Sequence, residues 1–226
     1  MEGSRTPLWK WFYATYEITQ SKNCVSALEL KRRLGITYKC AWSMMHKIRN
    51  NMKEKDFTKL FGVVEIDETW IGGRRKNKNK VGYNGMENKA VIMGIRQRGK
   101  DGLVKTFVIE SRSNGIMLPL IHNNVETGSM IYTDEYPVYK RVVEMGYKHK
   151  FVNHKKYKFA NGRVTTNRIE SYWSYIKNPI RGTYKSISKK WLRNYLNEYE
   201  YRYNRRMLSI EEQFNDLINR LIKKPS

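Results

Sequence analysis

The chain has 226 residues, 40% of them hydrophobic and 13% aromatic, and carries 44 Lys and Arg against 21 Asp and Glu for a formal net charge of +23. That apolar share supports a sizeable core plus a small accessory domain and excludes a disordered basic tail, while the charge exceeds what solubility requires and points to a polyanionic partner, nucleic acid. The cations are spread along the whole length, which argues against a membrane-surface protein, and no apolar run approaches the roughly 18 residues of a membrane span.

Met1-Glu2-Gly3-Ser4-Arg5 lacks the apolar stretch of a secretory signal, so an intracellular location is expected: the nucleus in a eukaryote, the cytoplasm and nucleoid in a prokaryote. Cys24 and Cys40 are too few for a four-thiolate zinc site and read as buried thiols.

To about Met52 the pattern is helical. Trp9, Phe12, Tyr13 and Tyr16 recur on one face of a first helix, and Ser26 followed by Glu29 resembles a capping box opening a second helix, Ala27 to Leu34. Gly35-Ile36-Thr37 breaks that helix. Thr37 can cap the next, with Cys40, Ala41, Met44, Met45 and Ile48 at its apolar positions. This is helix-turn-helix spacing, and it makes Tyr38 to Asn50 the recognition helix. Tyr38, Lys39 and Ser43 then lie nearest the base edges, and Lys47 and Arg49 nearer the phosphates. The same spacing also fits a helical hairpin used for packing or oligomerisation.

From Val63 the pattern changes. Val63 to Ile71, Ala90 to Arg96 and Val104 to Glu110 read as strands, Ile116 to Asn124 as a helix and Ser129 to Thr133 as a fourth strand. A helix over Val138 to Met145, a short strand over His149 to Val152 and a helix over Thr166 to Lys177, with Ile169 and Trp173 on its apolar face, complete the series. This mixed α/β order is that of a ribonuclease-H-like domain, in which the first and fourth strands lie side by side. Trp191 to Ile222 is helical, and its stripe of Trp191, Tyr195, Tyr199 and Tyr203 reads as core, whereas Arg202, Arg205 and Arg206 suit either DNA or partners such as Glu198 and Glu200. Residues 1–56 are therefore expected to form the helix-turn-helix subdomain and 57–226 the catalytic domain with its C-terminal helices.

Three carboxylates stand out. Asp67 and Asp134 sit inside or at the end of β-branched, apolar runs, and Glu170 lies on the last helix of the series. An ionised carboxylate on a strand core needs a cation or a set of donors, and oxygen ligands suit Mg²⁺ or Mn²⁺. Two such ions about 4 Å apart support in-line displacement at a phosphodiester, and acids converging from three elements could hold that pair. Glu68 and Glu135 follow the first two acids directly, so on a strand they face the other way and read as charge partners. Asn167, one turn before Glu170, could add an amide oxygen or touch DNA. The loop Gly72-Gly73-Arg74-Arg75-Lys76-Asn77-Lys78-Asn79-Lys80 leaves the first acidic strand with five cations for phosphates. Lys148, Lys150, Lys155, Lys156, Lys158, Arg163 and Arg168, interleaved with Phe151, Tyr157 and Phe159, form a second basic segment suited to distorted DNA ends.

The sequence resembles DDE-type transposases of the Merlin group and the related bacterial insertion-sequence enzymes with an ISXO2-like transposase domain. The likeness runs from Trp9-Lys10-Trp11-Phe12 to Tyr203-Asn204-Arg205-Arg206. Its blocks, in order, are Val25-Ser26-Ala27-Leu28-Glu29-Leu30 to Ala41-Trp42, Glu65-Ile66-Asp67-Glu68-Thr69-Trp70-Ile71-Gly72-Gly73, Tyr132-Thr133-Asp134-Glu135-Tyr136, Thr166-Asn167-Arg168-Ile169-Glu170-Ser171-Tyr172-Trp173-Ser174, Lys177, Arg181-Gly182-Thr183-Tyr184 and Glu198 to Arg206.

The resemblance implies that Asp67, Asp134 and Glu170 are the catalytic triad and hold two Mg²⁺ or Mn²⁺ ions, and that Lys177 is the basic residue associated with the third acid. It implies double-stranded DNA, as element ends and as target, for the partner, Arg181 among its contacts, and a homodimer or higher oligomer to pair two ends. The expected reaction is phosphodiester hydrolysis that frees a 3′ hydroxyl, then transfer of that hydroxyl to target DNA. Relatives often carry a zinc-ribbon region ahead of the Trp9 block, and without one the expectation is either that the helix-turn-helix recognises the ends or that this is a truncated copy that no longer mobilises. The competing expectations are a catalytically inactive transposase-derived DNA-binding protein and a ribonuclease-H-like nuclease that cuts without joining.

Overall fold

In the computed structural model, which describes residues 4–54, 58–72, 89–152 and 165–222, the chain opens with three helices. These are α1 (Leu8–Gln20), α2 (Ala27–Leu34) and α3 (Tyr38–Asn51). Strands β1 (Val63–Gly72), β2 (Lys89–Gln97) and β3 (Val104–Ile109) follow, then α4 (Asn114–Asn124) and β4 (Met130–Thr133). A 3-10 helix over Pro137–Met145, β5 (Lys148–Phe151), α5 (Asn167–Pro179), a π turn over Ile180–Tyr184, α6 (Lys189–Asn204) and α7 (Ile210–Ile222) complete the order. Contacts divide the chain into two units, one of Asp56–Lys177 with Ser186–Arg193, the other of Met1–Lys55, Asn178–Lys185 and Asn194–Ser226.

The first of these units is built on a five-stranded sheet in the order β3-β2-β1-β4-β5. β1 runs antiparallel to β2, and β2 to β3, whereas β1 and β4, and β4 and β5, are parallel. This is the ribonuclease-H-like arrangement. Because side chains alternate along a strand, Val64, Ile66 and Glu68 of β1 share one face and Glu65, Asp67 and Thr69 the other. Val64 and Ile66 pack into a core with Met93 and Ile95 of β2, Met117 and Ile121 of α4, and Val138 and Val142 of the 3-10 helix. The opposite face is that of α5, on which Ile169, Tyr172, Trp173 and Ile176 are buried at helical spacing. The 138–145 segment winds as a 3-10 helix instead of an α-helix, between Pro137 at its start and Gly146 at φ +85 at its end, and its three valines weaken α-helix propensity.

The helical unit is held by its caps and by one apolar core. The Ser26 hydroxyl accepts the Glu29 N–H at 3.1 Å, Gly35 closes α2 in the left-handed region at φ +58, and Thr37 Oγ1 accepts the Cys40 N–H at 3.2 Å to open α3. Of the four aromatics on one face of α1, Tyr13 packs against the core and the other three are exposed. Trp9 is 59% exposed and Tyr16 46%, while Trp11, Ala14, Thr15 and Ile18 are buried. The threonines explain the choice of face. The hydroxyls of Thr15 and Thr19 donate to carbonyls of their own helix, at 2.8 and 3.0 Å, so a face that looks polar in the sequence can be buried with its polar atoms satisfied.

Tyr201 of α6 and Leu217 and Leu221 of α7 join Trp11, Ile18, Leu30, Met44 and Ile48 in this core. Order along the chain groups the C-terminal helices with the catalytic domain, but packing groups 194–226 with the N-terminal helices. Arg205, open to DNA or to partners, pairs here with Glu54 and with Asp216, the latter at 2.8 Å. Cys24 and Cys40 are free thiols, and burial pushes Cys24 up to about 12. Among the described residues no helix is long and apolar enough to cross a membrane.

Arg49 is a correction. Expected beside DNA phosphates, it is 1% exposed, its Nε donates to Glu198 Oε2 at 2.7 Å, its Nη2 donates to the Tyr184 hydroxyl at 3.1 Å, and its guanidinium lies 4.0 Å from the centre of the Tyr195 ring. The helix that carries it turns Ile48 and Arg49 inward together, and arginine is tolerated there because a carboxylate and aromatic rings meet its donors and its plane. Removing one partner of such a pair leaves a buried charge unmatched. Arg49→Ala should therefore cost about 3–5 kcal/mol of unfolding free energy. Urea denaturation checks this, and a loss below about 1 kcal/mol would show that the pair is not what holds this core.

Candidate active site

The two strand acids meet through register. β1 and β4 pair in parallel at Val63↔Met130, Val64↔Ile131 and Glu65↔Tyr132, and two positions further on the chain carries Asp67 on one strand and Asp134 just past the other. Continued, that register sets the two acids level on adjacent strands, whose usual separation is about 4.8 Å. Asp134 Oδ1 accepts the Tyr136 N–H at 3.0 Å, and the Thr133 hydroxyl donates to the Asp134 carbonyl at 2.6 Å. Glu170, exposed in the first turn of α5, accepts the Thr166 hydroxyl on Oε1 at 2.7 Å.

Asp67 is the most perturbed of the three. Burial pushes its carboxyl up to about 6; the Trp173 indole and the Glu68 backbone work against that rise, and the charges of Asp134 and Glu170 add to it. Like charges gathered round a half-buried carboxylate are the setting a hard cation relieves, and the donors here are the carboxylate oxygens that Mg²⁺ and Mn²⁺ prefer. Each acid meanwhile has a protein partner: Trp173 for Asp67, Tyr136 for Asp134, Thr166 for Glu170. In keeping with that, among the described residues no three His, Cys, Asp or Glu side chains form a group that could hold a metal ion.

Two residues absent from the sequence-based candidates tie α5 to β1. Glu65, 0% exposed, accepts the N–H groups of Arg168 at 3.0 Å and Ile169 at 2.9 Å on Oε2, and Arg98 Nε at 2.6 Å on Oε1. A strand carboxylate thus caps the N-terminus of the helix that bears Glu170, where the free N–H groups and the dipole favour a negative charge. Arg98 in turn donates to the Thr165 carbonyl at 2.6 Å, which fastens the chain two residues ahead of that helix. The second tie is the Trp173 indole, which donates to Asp67 Oδ2 at 2.9 Å. It lies across Gly94, the residue paired with Asp67 on β2, where an added Cβ would come within 2.5 Å of the ring. Period-two alternation in Glu65-Ile66-Asp67 was the available signal for the first tie, since it puts Glu65 on the face of Asp67.

The remaining candidates are distributed as follows. Lys177, half-buried, and the exposed Asn167 and Arg168 share α5 with Glu170. Tyr38, Lys39, Ser43 and Lys47 are exposed along α3, and Arg181 is exposed in the π turn. Arg74, Arg75, Lys76, Lys78 and Lys80, and likewise Lys155, Lys156 and Lys158, lie outside the described residues.

Gly94→Ala should dislodge the indole from Asp67 and lower stability by about 1–3 kcal/mol, as overpacking does; an unaltered denaturation midpoint would mean that the ring has room to spare. The raised Asp67 carboxyl sets a pH dependence. The folded state holds that proton more tightly than the unfolded chain, so the contribution is full below the ordinary carboxylate range and is lost as pH rises through about 6. Metal-free protein should lose up to about 3 kcal/mol between pH 4 and 7 through this group, and Asp67→Asn should lack that loss. Parallel pH profiles for the two proteins would contradict it.

Residues 59–204, more than half of the chain, match the family described as ISXO2-like transposase domain. A Haemophilus influenzae protein described as an uncharacterized transposase-like protein is 29% identical over 101 residues, which is 45% of this chain and 80% of that protein. Among solved structures, a pre-cleavage Mos1 transpososome aligns over 100% of this chain and 83% of its own, at 11% identity and a TM-score of 0.40. A Mos1 transposase paired-end complex with the left transposon end aligns over 97% and 81%, at 12% identity and a TM-score of 0.40. By the family match, which spans all three acids and both ties to α5, the chain belongs to the ISXO2-like transposase family.

Proposed function

We propose that the chain is a metal-dependent DNA transposase in which Asp67, Asp134 and Glu170 hold Mg²⁺ or Mn²⁺, in a two-ion site. The observation that carries this is the β1/β4 register, which continued two residues would set Asp67 level with Asp134, together with the charges of Asp134 and Glu170 acting on the same half-buried carboxyl. When bound, such ions polarise an attacking water or hydroxyl and stabilise the leaving oxygen in an in-line displacement at phosphorus. The protein's own part is to orient. Trp173 holds one oxygen of Asp67, and Tyr136 one oxygen of Asp134. Glu65 fixes the start of α5, and with it the origin of Glu170.

Lys177 lies seven residues, about 10 Å, beyond Glu170 on α5, and its role is to hold a phosphate flanking the cleaved bond. Residues 1–56 form the DNA-reading part, with Tyr38, Lys39 and Ser43 toward base edges and Lys47 toward phosphates. Asn167, Arg168, Arg181 and the cations of the two basic segments, Arg74, Arg75, Lys76, Lys78, Lys80, Lys155, Lys156 and Lys158, supply backbone contacts in this scheme. Pairing two element ends calls for a homodimer or a larger assembly.

The test is cleavage and joining of a labelled duplex carrying the element's own terminal repeat, with Mg²⁺ or Mn²⁺, by the full chain and by Asp134→Asn. Both reactions in the wild type and a loss of at least a hundredfold in the variant are expected. Cleavage without joining would make the protein a nuclease, and DNA binding without either reaction would make it a transposase-derived DNA-binding protein.

A further inference from the structure

The face of β1 turned away from α5 carries a second set of contacts. Glu68, 7% exposed, accepts the Tyr139 hydroxyl on Oε1, and its Oε2 pairs with Arg112 Nη2 at 2.6 Å. Arg112 lies in the connection from β3 to α4. Its guanidinium carbon sits 3.8 Å from the centre of the Tyr136 ring and 5.3 Å from that of Trp70. Tyr136 donates its hydroxyl back to the Arg112 carbonyl at 3.0 Å, meets Tyr139 edge to face at 6.3 Å, and gives its N–H to Asp134 Oδ1 at 3.0 Å.

An ion pair whose carboxylate is buried is a poor source of stability, because desolvation offsets the attraction, so this one, with Arg112 partly exposed, calls for another explanation. What it does provide is direction. A planar guanidinium can pair with a carboxylate and stack on a ring at once, which a lysine ammonium cannot do. Here the carboxylate belongs to the residue after Asp67, and the ring to the residue two beyond Asp134. We propose that Arg112 is a positioning residue for the second metal ligand: with Glu68 beneath it and Tyr136 stacked on it, it holds the turn after β4 and so fixes where the Asp134 carboxylate points. This rests on Asp67, Asp134 and Glu170 being the metal ligands. It adds that the site is aligned from the far side of the sheet.

Mn²⁺ alone serves as the probe, titrated into the full chain with free Mn²⁺ read by electron paramagnetic resonance, well below the melting temperature. The Mn²⁺ midpoint should rise ten- to hundredfold in Arg112→Met, as when the partner behind a metal ligand is lost, and less in Arg112→Lys, with binding recovered at high Mn²⁺ in both. Ile121→Val, a core change in α4, controls for destabilisation and should leave the midpoint alone. If Arg112→Met does not fold by circular dichroism, Arg112→Lys and Tyr136→Leu carry the test. Folded Arg112 and Tyr136 variants with the wild-type midpoint, beside an Asp134→Asn that no longer binds, would overturn the positioning role alone. Wild-type binding by Asp134→Asn would overturn the metal reading, and this inference with it.

Discussion

The contact on which the candidate site most depends is a carboxylate buried in the middle of a sheet. Glu65 has no exposure to water and is held by two backbone N–H groups of α5 and by Arg98. An unpartnered charge there would be expensive, so the strand cannot take its place in the sheet without the helix start that satisfies it. The dependence runs both ways. The first turn of α5 has N–H groups that no residue of the helix can accept, and the strand answers them. One hydrogen-bonded charge thereby brings an element that begins near residue 167 against one that ends near 72, and the helix carries Glu170 with it.

The three acids of Glu65-Ile66-Asp67-Glu68 thus have separate tasks set by the pleat alone. Glu65 and Asp67 look toward α5, while Glu68 looks toward α4 and the 3-10 helix. Of the three acids on β1, Glu65 and Glu68 are matched by arginine, whereas Asp67 is met by the Trp173 indole and the Glu68 backbone. That contrast sets Asp67 apart from its two neighbours on the strand.

Much of this was legible in the residues. The strands and the helix over 116–124 fall within about two residues of their expected limits, since β-branched runs and apolar spacing of that length leave few alternatives, and the sheet order follows the expected fold. What escaped has a common physical cause. Periodicity shows which residues share a face but not which face is buried, and on α1 the buried face carries threonines that bond their own carbonyls. The inward position of Arg49 and the packing of α7 against α1 depend on partners more than 140 residues away, Glu198 in one case and Leu217 and Leu221 in the other. Glu65 was passed over because a glutamate in an acidic run reads as one more ligand or charge partner until the N-terminus of a distant helix is set against it.

The ladder between β1 and β4 ends at Glu65↔Tyr132, two residues short of the paired acids, whereas β1 stays bonded to β2 as far as Gly72 and β4 to β5 as far as Thr133. No rung crosses the gap in which Asp67 and Asp134 face each other. The separation of the two carboxylates is therefore set by side-chain rotation, with no backbone hydrogen bond to break when it changes.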